Sequence, residues 1–341
     1  MTVRIETIEK QLRDAAAKVV SEQEAAYFAE LVLETHLRKA PRMNPLEDAV
    51  AEIKVWAEAG GRELKVEVDT ESVLLLDFSG LAPTLKLKYI HDQLERRARK
   101  NGMAAVGFRN SSAIVVLNPW SEGLARRDLI GITLFNGGTR CMVPFGGTLG
   151  VFGTLPLAYA VPTADKPIIL DMAMSEIPFF QVKNAKDKGE ALPQGSAVDR
   201  RGLPTTDAAI ALGDDGAANL LPIGGGFKGY GLVMLIEILT GSLVRSLLST
   251  RQAPGWNPPE YGGFVCAIDI ASFTDPVAFK REVAEMCAEI RRQKPAEGQG
   301  EVAIPGDRGH VKVAAARTAG QIEVKDQVAE ELAKLAYGGT R

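Results

Sequence analysis

Gly224-Gly-Gly-Phe-Lys-Gly-Tyr-Gly231 is the densest glycine cluster of the chain, and it runs straight into an apolar stretch that reads as a helix. Backbone N–H groups at a helix start, with Lys228 among them, suit a phosphate or carboxylate. A tight turn with close helix packing uses glycine in the same way, and spacing alone leaves both readings open. The cluster lacks the Gly-Lys-Ser/Thr ending of a Walker A loop. It is also not the Gly-x-Gly-x-x-Gly turn that follows the first strand of a Rossmann fold.

Outward from this cluster the pattern alternates between helix and strand periods. Downstream, residues 228–248 read as a buried-type helix. Its longest apolar stretch, Gly231 to Val244, is interrupted by Glu237 and is shorter than the ~20 residues a membrane span needs. A strand at 263–270, an amphipathic helix at 275–292 and helices at 309–318 and 325–337 follow. Upstream, residues 182–222 read mostly as loop, punctuated by Gly189, Pro193, Gly195, Gly202 and Pro204. Before them come strands at 64–68, 73–78, 103–109, 113–117, 129–135, 157–161 and 167–171, with a helix at 83–101. The first 40 residues read as two helices, and a third spans 45–58. Ser21 and Glu24 form a capping box for the second helix. Its buried stripe is Phe28, Leu31, Val32 and Thr35, and Pro41 blocks its continuation. Helices, a strand-rich body and helices again predict that the two termini pack together as one small lobe.

Length and charge set the remaining bounds. The 341 residues suggest about two domains. An apolar share of 46% and a charged share of 24% are ordinary globular values. A formal charge of −3 argues against a nucleic-acid binder. The cationic runs Arg96, Arg97, Arg99, Lys100 and Arg126, Arg127 read as solvated helix surface. Cys141, Cys266 and Cys287 show neither disulfide nor zinc spacing, so no metal site is expected and a reducing, cytoplasmic compartment fits. The N-terminus shows no basic segment followed by an apolar run, which predicts no secretory leader. No membrane association is expected.

Three histidines, His36, His91 and His310, are the natural candidates for acid–base work near pH 7. His36 ends the second helix in Thr35-His-Leu-Arg38, with Arg42 close behind. An imidazole with arginines beside it suits a proton donor plus a carboxylate fork. A helix C-terminus whose dipole is complemented by cations has the same composition. His91, between Leu87 and Leu94, reads as a packing residue, and His310 as a loop residue. Gly153-Thr154 precedes one strand, and Asp171 and Ser175 end another. Strand ends often build sites, though turns have the same composition.

Phe152-Gly-Thr-Leu-Pro156, Leu170-Asp-Met-Ala-Met-Ser175, Gly202-Leu-Pro-Thr-Thr-Asp207, Leu221–Gly231 and Pro305-Gly-Asp-Arg308 stand in one order along the chain. On these motifs the chain resembles the malate/L-lactate dehydrogenase family, which also holds sulfolactate and ureidoglycolate dehydrogenases. Within it, the chain looks most like the Δ1-piperideine-2-carboxylate/Δ1-pyrroline-2-carboxylate reductases. The resemblance implies an α/β, non-Rossmann fold: a mixed, largely antiparallel sheet flanked by helices, with a helical lobe built from both termini. Residues 1–62, with 316–341 packing back, would form that lobe and carry the acid. Residues 63–315 would bind NAD(P) and substrate. A homodimer with active sites near the subunit boundary is also implied.

By the same resemblance, His36 is the proton donor, aided by Thr35 and Gln181. Arg38, Arg42 and Thr154 would bind substrate. Ala113, Ile114, Val115, Asp171, Met172, Ala173, Phe227, Lys228, Pro305, Gly306, Asp307 and Arg308 would contact the cofactor, NADPH or NADH with NADP favoured. The family's Ser-His-Gly stands here as Thr35-His-Leu37, and Ala40 replaces its substrate arginine. Gln181 replaces the carboxylate that supports the histidine in the imine reductases. The histidine of the family's Asn-Ser-x-His segment is Ala113 here. The implied reaction is hydride transfer to C2 of a small cyclic 2-imino acid or 2-oxo acid. A malate/lactate-type 2-hydroxy-acid dehydrogenase, or a nucleotide-binding member with little turnover, are the alternatives.

Overall fold

Apolar residues at three- and four-residue spacing build the first helices where they were expected. In this computed structural model, which describes residues 1–38, 43–213, 216–252 and 260–338, strand β1 (Thr2–Arg4) leads into α1 (Ile5–Ala16), α2 (Glu22–Arg38) and α3 (Pro45–Ala57). The strand-rich body follows with β2 (Lys65–Asp69), β3 (Val73–Asp77), α4 (Leu87–Asn101), β4 (Met103–Ser111), α5 (Asn118–Ala125), β5 (Leu129–Asn136), β6 (Leu157–Val161) and β7 (Ile168–Met172). Next are α6 (Phe179–Lys188), the short β8 (Ala197–Val198), β9 (Pro204–Thr205) and α7 (Ala208–Ala211), then α8 (Phe227–Glu237) and β10 (Tyr261–Asp269). The chain closes with α9 (Pro276–Arg291), α10 (Asp307–Ala319), β11 (Gln321–Glu323) and α11 (Asp326–Tyr337).

Both ends of the chain share one apolar core. Ile8 and Leu12 of α1, Phe28 and Leu33 of α2, Ile53 of α3, Val313 of α10 and Leu332 of α11 belong to it. β1 pairs antiparallel with β11, which closes the lobe. The predicted capping box is present: the Ser21 and Glu24 side chains bond each other's backbone N–H groups at 3.4 and 3.2 Å.

Seven strands form the main sheet in the order β2-β3-β4-β10-β5-β6-β7. Every neighbouring pair is antiparallel except β3 and β4, so the sheet is mixed and has no Rossmann crossover series. α4 and α5 cover one face over a buried aromatic group in which Phe108 stacks on Trp120 at 5.2 Å, beside Phe78 and Phe135. A Cβ on Gly263 would fall 2.0 Å from the Phe108 ring, so β10 must carry glycine there.

Three expectations are corrected. Residues 113–117 are not a strand; they are an irregular run that enters α5. Residues 182–222 are mostly loop, as expected, but the loop starts later than 182, because α6 runs to Lys188 and is ended by Gly189 in the left-handed region, φ 64°. The helix after the glycine cluster ends at Glu237, passes into a π turn at Ile238–Ser242, and is not buried all round. Leu232, Leu235, Ile238 and Leu243 are about half exposed. In addition, Arg97 is not solvated. It is 2% exposed and reaches Asp69, Gln93 and the Thr70 carbonyl.

Candidate active site

The last turn of α2 carries the first group of site residues. Its stripe Phe28, Leu31, Val32 and Thr35 is buried, and His36 itself is 3% exposed. Thr35 Oγ1 donates to the Leu31 carbonyl at 2.8 Å and accepts from Asn118 Nδ2 at 3.4 Å. Its one proton is thus used inside α2, and its lone pair faces α5. The Thr35 hydroxyl thereby ties α2 to α5 beside His36.

Arg38 was expected to hold a substrate carboxylate. Its guanidinium instead grips both oxygens of Glu122 and also reaches Glu34 at 3.4 Å. Arg126 adds a second cation to Glu122 at 2.9 Å, and Arg317 of α10 binds Glu34 at 2.7 Å. Burial tends to raise the Glu122 carboxyl, but Arg38 and Arg126 outweigh it and hold the group below the usual carboxylate range. A guanidinium in a charge-matched buried pair is not available for a second carboxylate without leaving Glu122 uncompensated. The other candidate, Arg42, lies outside the described residues.

The second group surrounds the end of β7. Asp171 Oδ2 accepts the N–H groups of Leu117 and Asn118, each at 2.8 Å, and so caps α5 from a distant strand. Burial pushes the Asp171 carboxyl up to about 6, while the Asn118 and Leu117 amides pull it down. One side of the residue is open to solvent, which favours the amides, and the carboxylate is ionised at neutral pH. Ile169 donates to the Pro305 carbonyl at 3.0 Å. Gly306, at φ +105°, lies where a Cβ would sit 3.2 Å from the Ile169 nitrogen. α10 then begins at Asp307, whose carboxylate is held by Arg291 and the Ile304 amide. A Cβ on Gly309 would fall 2.4 Å from Arg38 Cγ, so the first turn of α10 lies against the end of α2. The segments 113–117, 171–173 and 305–308 are therefore gathered around β7 and α2. Ala113 and Val115 are exposed there, and Ile114 is buried.

Thr154 and the glycine cluster flank the same strand end. The Thr154 carbonyl accepts from Met174 N at 2.9 Å, and the Met174 carbonyl accepts from Ile223 N at 2.8 Å. Thr154 thus adjoins the segment that contains Met172 and Ala173. Within the cluster, the Gly224 N–H already donates to Glu176 Oε2 at 2.7 Å. The anion-binding reading is thereby narrowed to the first turn of α8, where no side chain caps the helix and Phe227 and Lys228 are exposed. Gly229 serves close packing, since a Cβ there would fall 2.0 Å from the Ile223 carbonyl oxygen. Gln181 sits on the first turn of α6, and α6 packs against α7. α2 packs against α1, α3, α4, α5 and α10.

The other two histidines are structural. His91 is fully buried between the Tyr27 hydroxyl and the Trp120 carbonyl, each at 2.8 Å. The carbonyl can only accept, so Nε2 carries the proton and Nδ1 accepts from Tyr27. Burial and the nearby Arg127 charge push its pKa down to about 3. His310 Nε2 lies 2.9 Å from the Pro167 carbonyl and ties α10 to the start of β7. Among the described residues, no three His, Cys, Asp or Glu side chains come together to hold a metal, and no helix is long and apolar enough to cross a membrane.

The sequence reading did not single out a small cavity between α2, α3 and the 114–116 run. It has a volume of about 30 Å³, and Thr35, Asp48, Glu52, Thr84 and Ile114 are among its lining residues. Asp48 and Glu52 are one helical turn apart, a spacing that placed them on one face of α3. Burial pushes Asp48 up to about 6. It pushes Glu52 up to about 8, against a hydrogen bond from Thr84 at 2.6 Å and with Asp48 adding to the rise.

Known proteins share this fold. The sequence profile described as malate/L-lactate dehydrogenase matches residues 3–333. The chain is 30% identical over 323 residues to malate/(S)-sulfolactate dehydrogenase of Methanothermus fervidus, covering 93% of this chain and 91% of that protein. It is 35% identical over 245 residues to the Δ1-pyrroline-2-carboxylate/Δ1-piperideine-2-carboxylate reductase of Pseudomonas syringae pv. tomato, across 70% of this chain and 68% of that protein. The structure of sulfolactate dehydrogenase from Methanocaldococcus jannaschii superposes with a TM-score of 0.82 at 27% identity, over 98% of this chain and 96% of that one. With the profile spanning nearly the whole chain and the same non-Rossmann sheet, the chain belongs to the malate/L-lactate dehydrogenase family, a family of NAD(P)-dependent oxidoreductases.

Proposed function

We propose that this protein reduces a small cyclic 2-imino acid or 2-oxo acid with NADPH or NADH, NADPH preferred, and that His36 supplies the proton. The observation that supports this most is that α5 links the His36 helix to the 171–173 segment. Asn118 bonds Thr35 on one side, and Asp171 caps Leu117 and Asn118 on the other. The donor set fits a dinucleotide. The uncapped first turn of α8 with Lys228 suits phosphate oxygens. The turn at Pro305–Gly306 leaves no room for a side chain beside Ile169. Bound there, the cofactor supplies hydride for C2. Ala113, Ile114, Val115, Asp171, Met172, Ala173, Phe227, Lys228 and Pro305 to Arg308 would hold it, and Thr154 would face the substrate. His36 lies in the last turn of α2. It donates to the imine nitrogen or carbonyl oxygen as charge develops there. Arg42 takes the substrate carboxylate, since Arg38 is bound to Glu122. Residues 1–62, with 316–341, act as the acid-bearing lobe and 63–315 as the binding body. The protein works in the cytoplasm, where its three unpaired cysteines stay reduced.

A second possibility, 2-hydroxy-acid dehydrogenation of the malate or lactate type, has support from the malate/(S)-sulfolactate dehydrogenase relative. A panel of NADPH and NADH oxidation with pyruvate, oxaloacetate and Δ1-piperideine-2-carboxylate separates the two. The expected result is the highest kcat/KM for the imine with NADPH. A preference for oxaloacetate with NADH would favour the dehydrogenase. Cofactor binding without turnover on any substrate would mark a binding protein, consistent with Gln181 and Ala113 standing where the relatives' acid and histidine are expected.

The protein is proposed to act as a homodimer. Leu232, Leu235, Ile238 and Leu243 form an exposed apolar face next to the cofactor-binding first turn of α8. Leu235→Glu is expected to shift the sedimentation coefficient from dimer to monomer. An unchanged value would place the subunit contact elsewhere.

A further inference from the structure

We infer that α5 is a positioning strut in which Glu122 and Asn118 set His36 against the 171–173 segment. This rests on the proposed role of His36.

α5 is anchored on every side. Its N-terminus is capped by Asp171 at 2.8 Å through both Leu117 and Asn118. Ser121 Oγ meets Thr133 Oγ1 of β5 at 3.0 Å, which pins the helix to the sheet. A Cβ on Gly123 would fall 2.3 Å from His91 Cε1, so α5 is packed tightly on α4 as well. All eight of its residues are buried. A helix held this way moves only with the sheet and with Asp171.

Asn118 and Glu122 are one turn apart and reach α2 at Thr35 and Arg38, the residues that bracket His36. Around them, Glu30, Glu34 and Arg38 follow each other at four-residue spacing on α2. Arg126 reaches Glu30 at 2.6 Å, and Arg317 reaches Glu34 at 2.7 Å. Glu122, 3% exposed, is the centre of this network, since it receives both Arg38 and Arg126. A neutral side chain at 122 leaves Arg38 only the longer 3.4 Å pairing with Glu34 and loosens the tie between the end of α2 and α5. Displacement of a reacting group by about 1 Å costs on the order of 10²-fold in rate. Neither residue is placed to touch substrate or cofactor; each acts through His36.

The test uses Glu122→Gln and Asn118→Ala, each in the wild-type and the His36→Ala backgrounds. The readouts are kcat, KM and NADPH affinity by fluorescence titration. With His36 present, each substitution is expected to lower kcat by about 10- to 100-fold and to change NADPH affinity by less than ~3-fold. In the His36→Ala background the same substitution is expected to cost less than ~3-fold, because residues acting as one unit are not additive. Glu122→Asp is expected to recover part of the loss. Equal fold losses in both backgrounds would overturn the inference and assign α5 a general structural role. Unchanged kcat in Glu122→Gln and Asn118→Ala would also overturn it. If Glu122→Gln fails to fold, Asn118→Ala decides, since it leaves every charge and the capped amides in place. If His36→Ala itself keeps full turnover, the role of His36 falls and this inference falls with it. Loss of turnover in His36→Ala without coupling to α5 removes this inference alone.

Discussion

Replacing His36 with alanine is expected to lower turnover by about 10²-fold or more, with NADPH affinity changed by less than ~3-fold. The asymmetry follows from where the residue sits. His36 lies on α2, inside the lobe built from both chain ends, whereas the proposed nucleotide contacts come from β7, α8 and the start of α10. Removing the imidazole takes away a proton at the moment hydride reaches C2, but leaves the phosphate-binding turns untouched. Loss confined to kcat is the signature of an interaction made in the transition state. A variant that lost NADPH affinity and kept kcat would instead place His36 in the cofactor site. Single-turnover oxidation of bound NADPH by substrate makes the distinction directly.

The second large effect concerns stability against pH. The folded chain holds the Glu52 proton up to about pH 8, whereas a glutamate in the unfolded chain releases it near 4.5. Between those values the fold binds a proton that the unfolded chain has released. The contribution is therefore fully present below about pH 4.5 and is lost as pH rises toward 8. Asp48 adds a smaller loss between 3.8 and about 6. A shift of this size corresponds to roughly 5 kcal/mol at most, and contact of the side chain with solvent reduces it. Glu52→Gln keeps an acceptor for the Thr84 hydroxyl and removes the titration. It is expected to raise the urea midpoint at pH 9 and to leave it nearly unchanged at pH 4. An equal change at both pH values would show that Glu52 does not carry the dependence. The cavity beside Glu52 is lined by Thr35 and Ile114, so charge on α3 is felt close to the proposed site.

Much of this was legible from local pattern. The Ser21–Glu24 box, the spacing of α1 and α2, and the period-two strands predict elements that form where the residues sit. The five ordered motifs predict a non-Rossmann sheet with a lobe from both termini. What the sequence hid is non-local. Ala113–Leu117 is an apolar run that reads as a strand, but the cap that starts α5 is Asp171, 53 residues beyond Asn118. Arg38 looks like a free substrate fork until Glu122, 84 residues away, closes on it. The 228–248 stretch carries apolar residues on every side of the helix, with only a few charges among them, so periodicity could not show that one side stays uncovered in a single chain. Asp48 and Glu52 carried a readable signal, two acids one turn apart beside Pro45 and Ala49, and their burial depends on how α3 meets residues 114–116.

In the proposed site, α2, the end of β7 and the starts of α8 and α10 together receive the nicotinamide and the substrate. A crystal structure of the complex with NADPH and a non-reactive substrate analogue tests it most directly. The nicotinamide is expected beside residues 171–173, with C4 about 3–3.5 Å from the analogue's C2 and the His36 imidazole on the atom that accepts the proton. A nicotinamide bound away from β7, or a C2 out of reach of His36, would contradict it.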